Sequence, residues 1–242
     1  MILWPQPDGT ILATPQPAHA LIAGQLMRAL AEPPVPLEPV VNAAAQHDCA
    51  WMGWEAAPEF DAATGLPRHF NALSGAEHVP MWEEGVRNAL ANWGLWAGLL
   101  VLRHGSHIYR MGILGDRMAP SAESLAAMEG YMAREVAWSA ELMARLGVNE
   151  AQLSANARKI AMVDSIALGL CWGQATFDCS GTRLTRSAPR VATLEPWPLA
   201  VRHIEVETEA LHLPGPFADA EAMRAGIAAA PRIRQSFWLE AG

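Results

Sequence analysis

Asp164 is the residue that most restricts what this chain can fold into. It stands in Ile160-Ala161-Met162-Val163-Asp164-Ser165-Ile166-Ala167-Leu168, whose pattern predicts a helix. Its helical neighbours are Ile160, Ala167, Leu168 and Cys171. A carboxylate therefore lies on an apolar face, where it must be protonated, paired or bound to a cation. Arg158 and Lys159 do not share that face, so its partner has to come from a distant segment.

Candidates for that partner are few. Ala43-Ala44-Ala45-Gln46-His47-Asp48 reads as the end of a short apolar helix over 39–48, closed by two adjacent metal-capable side chains. Neighbours on a helix point about 100° apart, so both can face one interior. His19 lies on the buried face of a helix predicted over 17–30, in line with Ile22 and Leu26. His78 falls in the first turn of a helix opened by Ser74-Gly75-Ala76-Glu77, and His104 closes an apolar helix from about Trp93. His107, one turn on, competes with His104 for the same place. The set His19, His47, Asp48, His78, His104 and Asp164 offers imidazoles and carboxylates for one or two divalent transition ions. Iron and manganese lead the candidates, with zinc, cobalt and nickel behind them. His47 and Asp48 are the candidate catalytic pair. Asp48 has two oxygens and can bridge two ions.

Around this set, 51–71 is a long segment rich in Gly, Pro and aromatics, a kind of connection that is often functional. Trp51, Trp54, Phe70 and Trp82 are candidates for the wall of a substrate pocket, His69 for its lining, and Arg68 or Arg103 for neutralising a substrate's negative charge.

The remaining elements follow from spacing and punctuation. Strands are expected in 1–13 around a Pro7-Asp8-Gly9 turn. A long helix starts at Ser121 and stops at Gly147, with Leu125, Met128, Met132, Val136, Leu142 and Leu146 as its core face. A helix over 150–172 carries Asp164. Residues 183–190 are polar and read as a loop, 191–213 as strands, 217–229 as a helix and 233–239 as a last strand. This gives one domain over 1–242: a helical core at about 15–173, with a β-containing appendage from 1–13 and 190–240. The fold class expected is mainly α, with one small antiparallel sheet built from the two ends.

Charge and cysteine content exclude several functions. The net charge is −8 and Lys159 is the only lysine, so no basic surface for nucleic acid or an anionic membrane is expected. Cys49, Cys171 and Cys179 are an odd, widely spaced trio without a Cys-x-x-Cys motif, which argues for reduced, buried thiols. The N-terminus shows no secretory signal pattern, and no apolar run approaches the roughly 20 residues needed to span a bilayer. A cytoplasmic protein acting on a small molecule is expected, with a homo-oligomeric state left open.

In order and spacing, the His19, His47-Asp48, Asp164 set resembles the metal-dependent HD-domain proteins. The two intervening histidines resemble the two-metal branch of that superfamily. The whole chain also resembles an uncharacterised bacterial family, domain of unknown function 3891, through Gln16–Gln25, Gln46–Trp51, Pro67–Phe70, His104-Gly105, Val163-Asp164 and Pro196-Trp197-Pro198. The HD resemblance implies a helical HD-like bundle. It implies a first ion on His19, His47, Asp48 and Asp164, and a second on His78 and His104 bridged by Asp48. Hydrolysis of phosphate esters is the commonest chemistry it implies, and a di-iron oxygenase on the same ligands is the alternative. A non-catalytic metal- or ligand-binding module is the reading from another class.

Overall fold

The computed structural model describes residues 1–112 and 119–242. Strands β1 (Ile2–Pro5) and β2 (Ile11–Thr14) form the opening hairpin, and helices α1 (Gln16–Ala29) and α2 (Leu37–Ala45) follow. A 3-10 turn over Cys49–Trp51 leads into α3 (Met52–Ala56). The short ribbon of β3 (Phe60–Asp61) and β4 (Leu66–Pro67) then precedes a second 3-10 turn, Phe70–Ala72. Four long helices come next: α4 (Gly75–Trp93), α5 (Leu95–Met111), α6 (Ala122–Leu146) and α7 (Glu150–Cys171). The last third holds β5 (Thr176–Asp178), β6 (Arg183–Ala188), β7 (Val191–Glu195), β8 (His203–Leu213), α8 (Ala220–Ala229) and β9 (Arg232–Ala241).

The expected mainly-α, HD-like bundle with a small antiparallel sheet is overturned. One seven-stranded sheet runs in the order β1-β2-β8-β9-β7-β6-β5, and β7 pairs with β9 in parallel, so the sheet is mixed and the fold is α+β. Two local features hid it. Strand β6 occupies the stretch read as a loop, because its only buried side chain is Leu184. The polarity of Arg186 also has a structural cause. Its guanidinium donates to the Gly169, Leu170 and Gln174 carbonyls at the end of α7, tying the sheet to that helix.

Helix α1 joins the two layers, packing against β8 on one side and α2 and α7 on the other. Its approach to α2 is close because residue 24 is glycine. A Cβ there would lie 2.7 Å from the Ala45 Cβ. Gly24→Val is expected to destabilise the fold by about 3 kcal/mol through overpacking. A lowered urea midpoint with an unchanged slope would show this.

Helix ends follow sequence rules more closely than faces do. Ser121 caps α6 by accepting from the Ser124 N–H, and Gly147 ends it at φ 68°. The buried stripe of α6 is nonetheless shifted from the expected one. Leu125 is 42 % and Val136 67 % exposed, while Ser124, Tyr131, Glu135, Ser139 and Leu142 face inward. Glu135 is held by Arg103 at 2.8 Å and by the Ser139 hydroxyl at 2.6 Å. A buried carboxylate with such partners replaces the apolar residue that periodicity demands. Among the described residues, no helix is long and apolar enough to cross a membrane.

Candidate metal centre

Three elements meet at the end of α1. His19 sits one turn into that helix, Asp164 midway along α7, and His47-Asp48 just past α2, whose last helical residue is Ala45. The pair is thus presented by a turn rather than by the helix end expected from sequence. His104 joins from the middle of α5, which continues to Met111 rather than stopping there.

One oxygen of Asp164 receives two imidazoles. Asp164 Oδ1 lies 2.9 Å from His19 Nε2 and 3.1 Å from His47 Nε2. His104 Nε2 lies 3.6 Å from Asp164 Oδ2. Asp48 stands beside them, with Oδ2 3.5 Å from His19 Nδ1 and Oδ1 3.8 Å from His47 Nε2. Ligand atoms of His19, His47 and Asp164, and of His47, Asp48 and His104, fall within 4.8 Å of one another, as holding an ion requires. The three imidazoles are stacked edge to face, at 5.2 Å for His19 and His47 and 4.9 Å for His47 and His104. Asp164 is the least enclosed member, with 15 % of its side chain exposed.

Backbone carbonyls decide which ring nitrogens face inward. The Gln16 carbonyl lies 2.6 Å from His19 Nδ1, and the Ala44 carbonyl 2.7 Å from His47 Nδ1. A carbonyl only accepts, so each Nδ1 carries the proton and donates it. In a neutral ring, each Nε2 then offers a lone pair to the same carboxylate oxygen. Three acceptors at hydrogen-bond distance repel unless positive charge lies among them. Orientation of an imidazole through its other nitrogen is the arrangement metal-ligating histidines adopt, so the residues present fit a divalent ion.

The electrostatics agree. Burial opposes charge on His47, but Asp48 and Asp164 outweigh it and raise the ring to about 9. Burial works against the Asp164 carboxylate too, yet His47 and His19 hold it well below the usual range. Burial pushes Asp48 up to about 6 against the pull of His47 and His19. It pushes His104 down to about 3, with only partial compensation from Asp164. A proton on His47 is one way to supply the positive charge this cluster needs, and a metal ion is the other.

The remaining predicted residues fall at varied distances from the cluster. A cavity of about 30 Å³ is lined by His19, Asp48, Trp51, His78, His104 and Asp164, with Gln16, Phe70, Asn71, Ile108 and Leu168. That is room for an ion or a water, not a substrate. His78 faces this cavity without joining either ligand group. Trp82 is fully buried and supports the site from behind, stacked on His78 at 5.0 Å and tilted against His104. Trp54 packs on Trp51 but lines a different cavity. Arg68 is drawn away, gripped by Glu59 and Glu77 at 2.8 Å each. His69 is stacked between Phe70 and Trp172 and holds Asn71 at 2.6 Å, so it supports a lining residue rather than lining the cavity.

Arg103 and His107 belong to a second cavity, of about 340 Å³, that shares His104 as a wall. Arg110, Arg158, Ser154 and Ser180 complete its polar lining. Sequence reasoning missed these, and missed Gln16 and Asn71. Arg158 and Ser154 lie on the same helix as Asp164 but not on its face, so helical spacing from Asp164 did not point to them. A larger groove of about 1120 Å³ between α1, α2 and β8 does not include the cluster, and its charges are largely paired, as in Arg28–Glu38 and Arg234–Glu207. The three cysteines are buried thiols, each pushed up to about 12 by burial.

No curated protein and no solved structure matches the chain significantly. One family model does match, over residues 1–215, and so across the strands and helices that build the cluster. The chain therefore belongs to the family described as Protein of unknown function (DUF3891).

Proposed function

We propose that this chain is a metal-dependent hydrolase of a phosphorylated small molecule. The observation that carries the reading is the meeting of His19 Nε2 and His47 Nε2 on one Asp164 oxygen, with both Nδ1 protons held by backbone carbonyls. His19, His47, His104, Asp48 and Asp164 would hold the ion. Bound there, a divalent ion lowers the pKa of a bound water and polarises a phosphoryl oxygen. The order of these ligands along the chain resembles that of the HD hydrolases, a resemblance of ligand order and not of architecture.

The cavity beside His104 supports the phosphate part of the reading. Arg103 is fixed there by Glu135 and by Glu150, at 2.8 Å each. Arg158 has no ion-pair partner among the described residues. Planar guanidinium groups and the Ser154 hydroxyl suit a phosphate or another oxyanion. Ile160 and Ala161 of its wall lie about one turn from Asp164 on α7. Substrate charge would be held in a cavity that shares its His104 wall with the ion site, whose own lining includes the apolar Trp51, Phe70, Ile108 and Leu168.

The test is to load the purified protein with manganese, iron, zinc, cobalt or nickel and assay generic phosphate esters. Stoichiometric ion and phosphate release are expected, both lost in His47→Ala. Arg158→Ala should weaken inhibition by inorganic phosphate about fivefold, for loss of about 1 kcal/mol, with metal content unchanged. Oxygen consumption by iron-loaded protein would replace this reading with an oxygenase. A fully loaded protein inert in both assays would leave a binding module.

A further inference from the structure

His78 occupies the first turn of α4, whose start is fixed by a capping box between Ser74 and Glu77. Its ring is fully buried, stacked on Trp82 and packed against Trp51 at 5.3 Å and Tyr109 at 5.6 Å. Nδ1 lies 3.0 Å from the Tyr109 hydroxyl. Nε2 is buried with no hydrogen-bond partner among the described residues, in a residue that lines the ion cavity. Burial drives this imidazole down to about 3, so it is neutral and carries one proton.

Where that proton sits follows from the tyrosine. Burial raises the Tyr109 phenol far above its ordinary value, so it keeps its hydrogen. Among the described residues, the only hydrogen-bond partner of that hydroxyl is His78 Nδ1. A buried phenol that cannot donate leaves its hydrogen unpaired, at a cost to the fold. If Nδ1 carried the proton, the phenol hydrogen would have no acceptor, and the Nε2 lone pair would be unpaired as well. If the phenol donates to Nδ1, that loss is avoided, and Nε2–H becomes an unpartnered donor on a residue that lines the cavity. Gln16, a lining residue of the same cavity, has an acceptor, Oε1, that is likewise buried without a partner among the described residues. A donor and an acceptor facing one cavity of about 30 Å³ are what a single oxygen bearing a hydrogen needs.

We propose that His78 is not an ion ligand but a neutral Nε2–H donor to a water oxygen held beside the ion, with Tyr109 as the positioning residue that fixes its tautomer. This rests on the hydrolase reading for the part the water plays, and not for the tautomer itself. Such a donor holds that water in place and stabilises the negative charge it gains on losing a proton, as fixed N–H groups do for oxyanions elsewhere.

Imidazole nitrogen NMR on the ion-free protein tests the tautomer, with His78 assigned through His78→Gln. The Nε2–H pattern is expected in the wild type, and a shift toward Nδ1–H in Tyr109→Phe, which removes the phenol donor. An Nδ1–H pattern in the wild type overturns the proposal. Ion titration of wild type and His78→Gln should give the same stoichiometry, with affinities within about threefold. Loss of an ion, or a larger drop in affinity, makes His78 a ligand and also overturns the proposal. Should His78→Gln fail to fold, the wild-type and Tyr109→Phe spectra decide, with His78 assigned by elimination through single Gln variants of the other seven histidines. Because the spectra need no ion, failure of the hydrolase reading appears separately, as a wild type that binds no ion while keeping the Nε2–H tautomer.

Discussion

Asp164→Ala is expected to lower the affinity for a divalent transition ion by more than about 100-fold. Removing a group that merely orients a metal ligand costs about 10–100-fold, and Asp164 stands closer than that. Among the described residues it is the one carboxylate within 4 Å of His19, His47 and His104 together. Calorimetric titration of protein stripped with chelator measures the loss directly. Thermal melting gives an independent reading. A ligand present at 1,000 times its dissociation constant stabilises the folded state by about 4 kcal/mol, so the wild type should gain many degrees with metal and the variant almost none. Asp164→Asn should behave similarly, because an amide keeps the shape but not the charge. A variant that binds metal as the wild type does would mean that the ion sits elsewhere.

Ion affinity should also climb steeply with pH. In the ion-free protein Asp48 and Asp164 hold the proton on His47 up to about 9, and a metal can bind that Nε2 only after the proton leaves. Affinity should therefore rise about tenfold per pH unit between 7 and 9 and level off above. Below about 6 Asp48 is protonated as well, and the slope should steepen. The stability of the ion-free protein runs the opposite way. The folded-state value of His47 is raised above its unfolded value near 6.5, so the stabilisation is complete below 6.5 and lost as pH rises through about 9. Titrations in buffers of differing ionisation enthalpy would show about one proton released per ion near neutral pH. Affinity independent of pH from 7 to 9 would mean that no proton stands where the ion binds.

Parts of this site are legible in the sequence for physical reasons. An acidic residue between Ile160 and Leu168 is conspicuous because burying it alone is so costly, and the same logic puts His19 on the inner face of α1. Helix limits were readable at Ser74, Ser121 and Gly147, where a cap carries them, though not at the Gly112 cap that ends α5 or the Asp219 cap that opens α8. The breadth of the sheet was not. β6 buries only Leu184 and so lacks the alternation that marks a strand, and the parallel pairing of β7 with β9 joins segments with no local signal between them. The inner face of α6 was misplaced because Glu135 and Ser139 are buried through hydrogen bonds made to one another and to α5, not through hydrophobicity. Likewise Arg68 looked available in sequence, but Glu59 and Glu77, nine residues to either side, claim it. The tautomer of His78 depends on Tyr109, a contact across thirty-one residues that no spacing rule supplies.

The central claim is that the His19, His47, Asp48, His104 and Asp164 side chains surround a cation. Anomalous diffraction at the absorption edge of manganese or zinc, on crystals grown with that ion, tests it most directly. A strong peak about 2.0–2.3 Å from His19 Nε2, His47 Nε2 and an Asp164 oxygen is expected. An empty cluster in crystals whose anomalous peaks lie only at surface residues would contradict it.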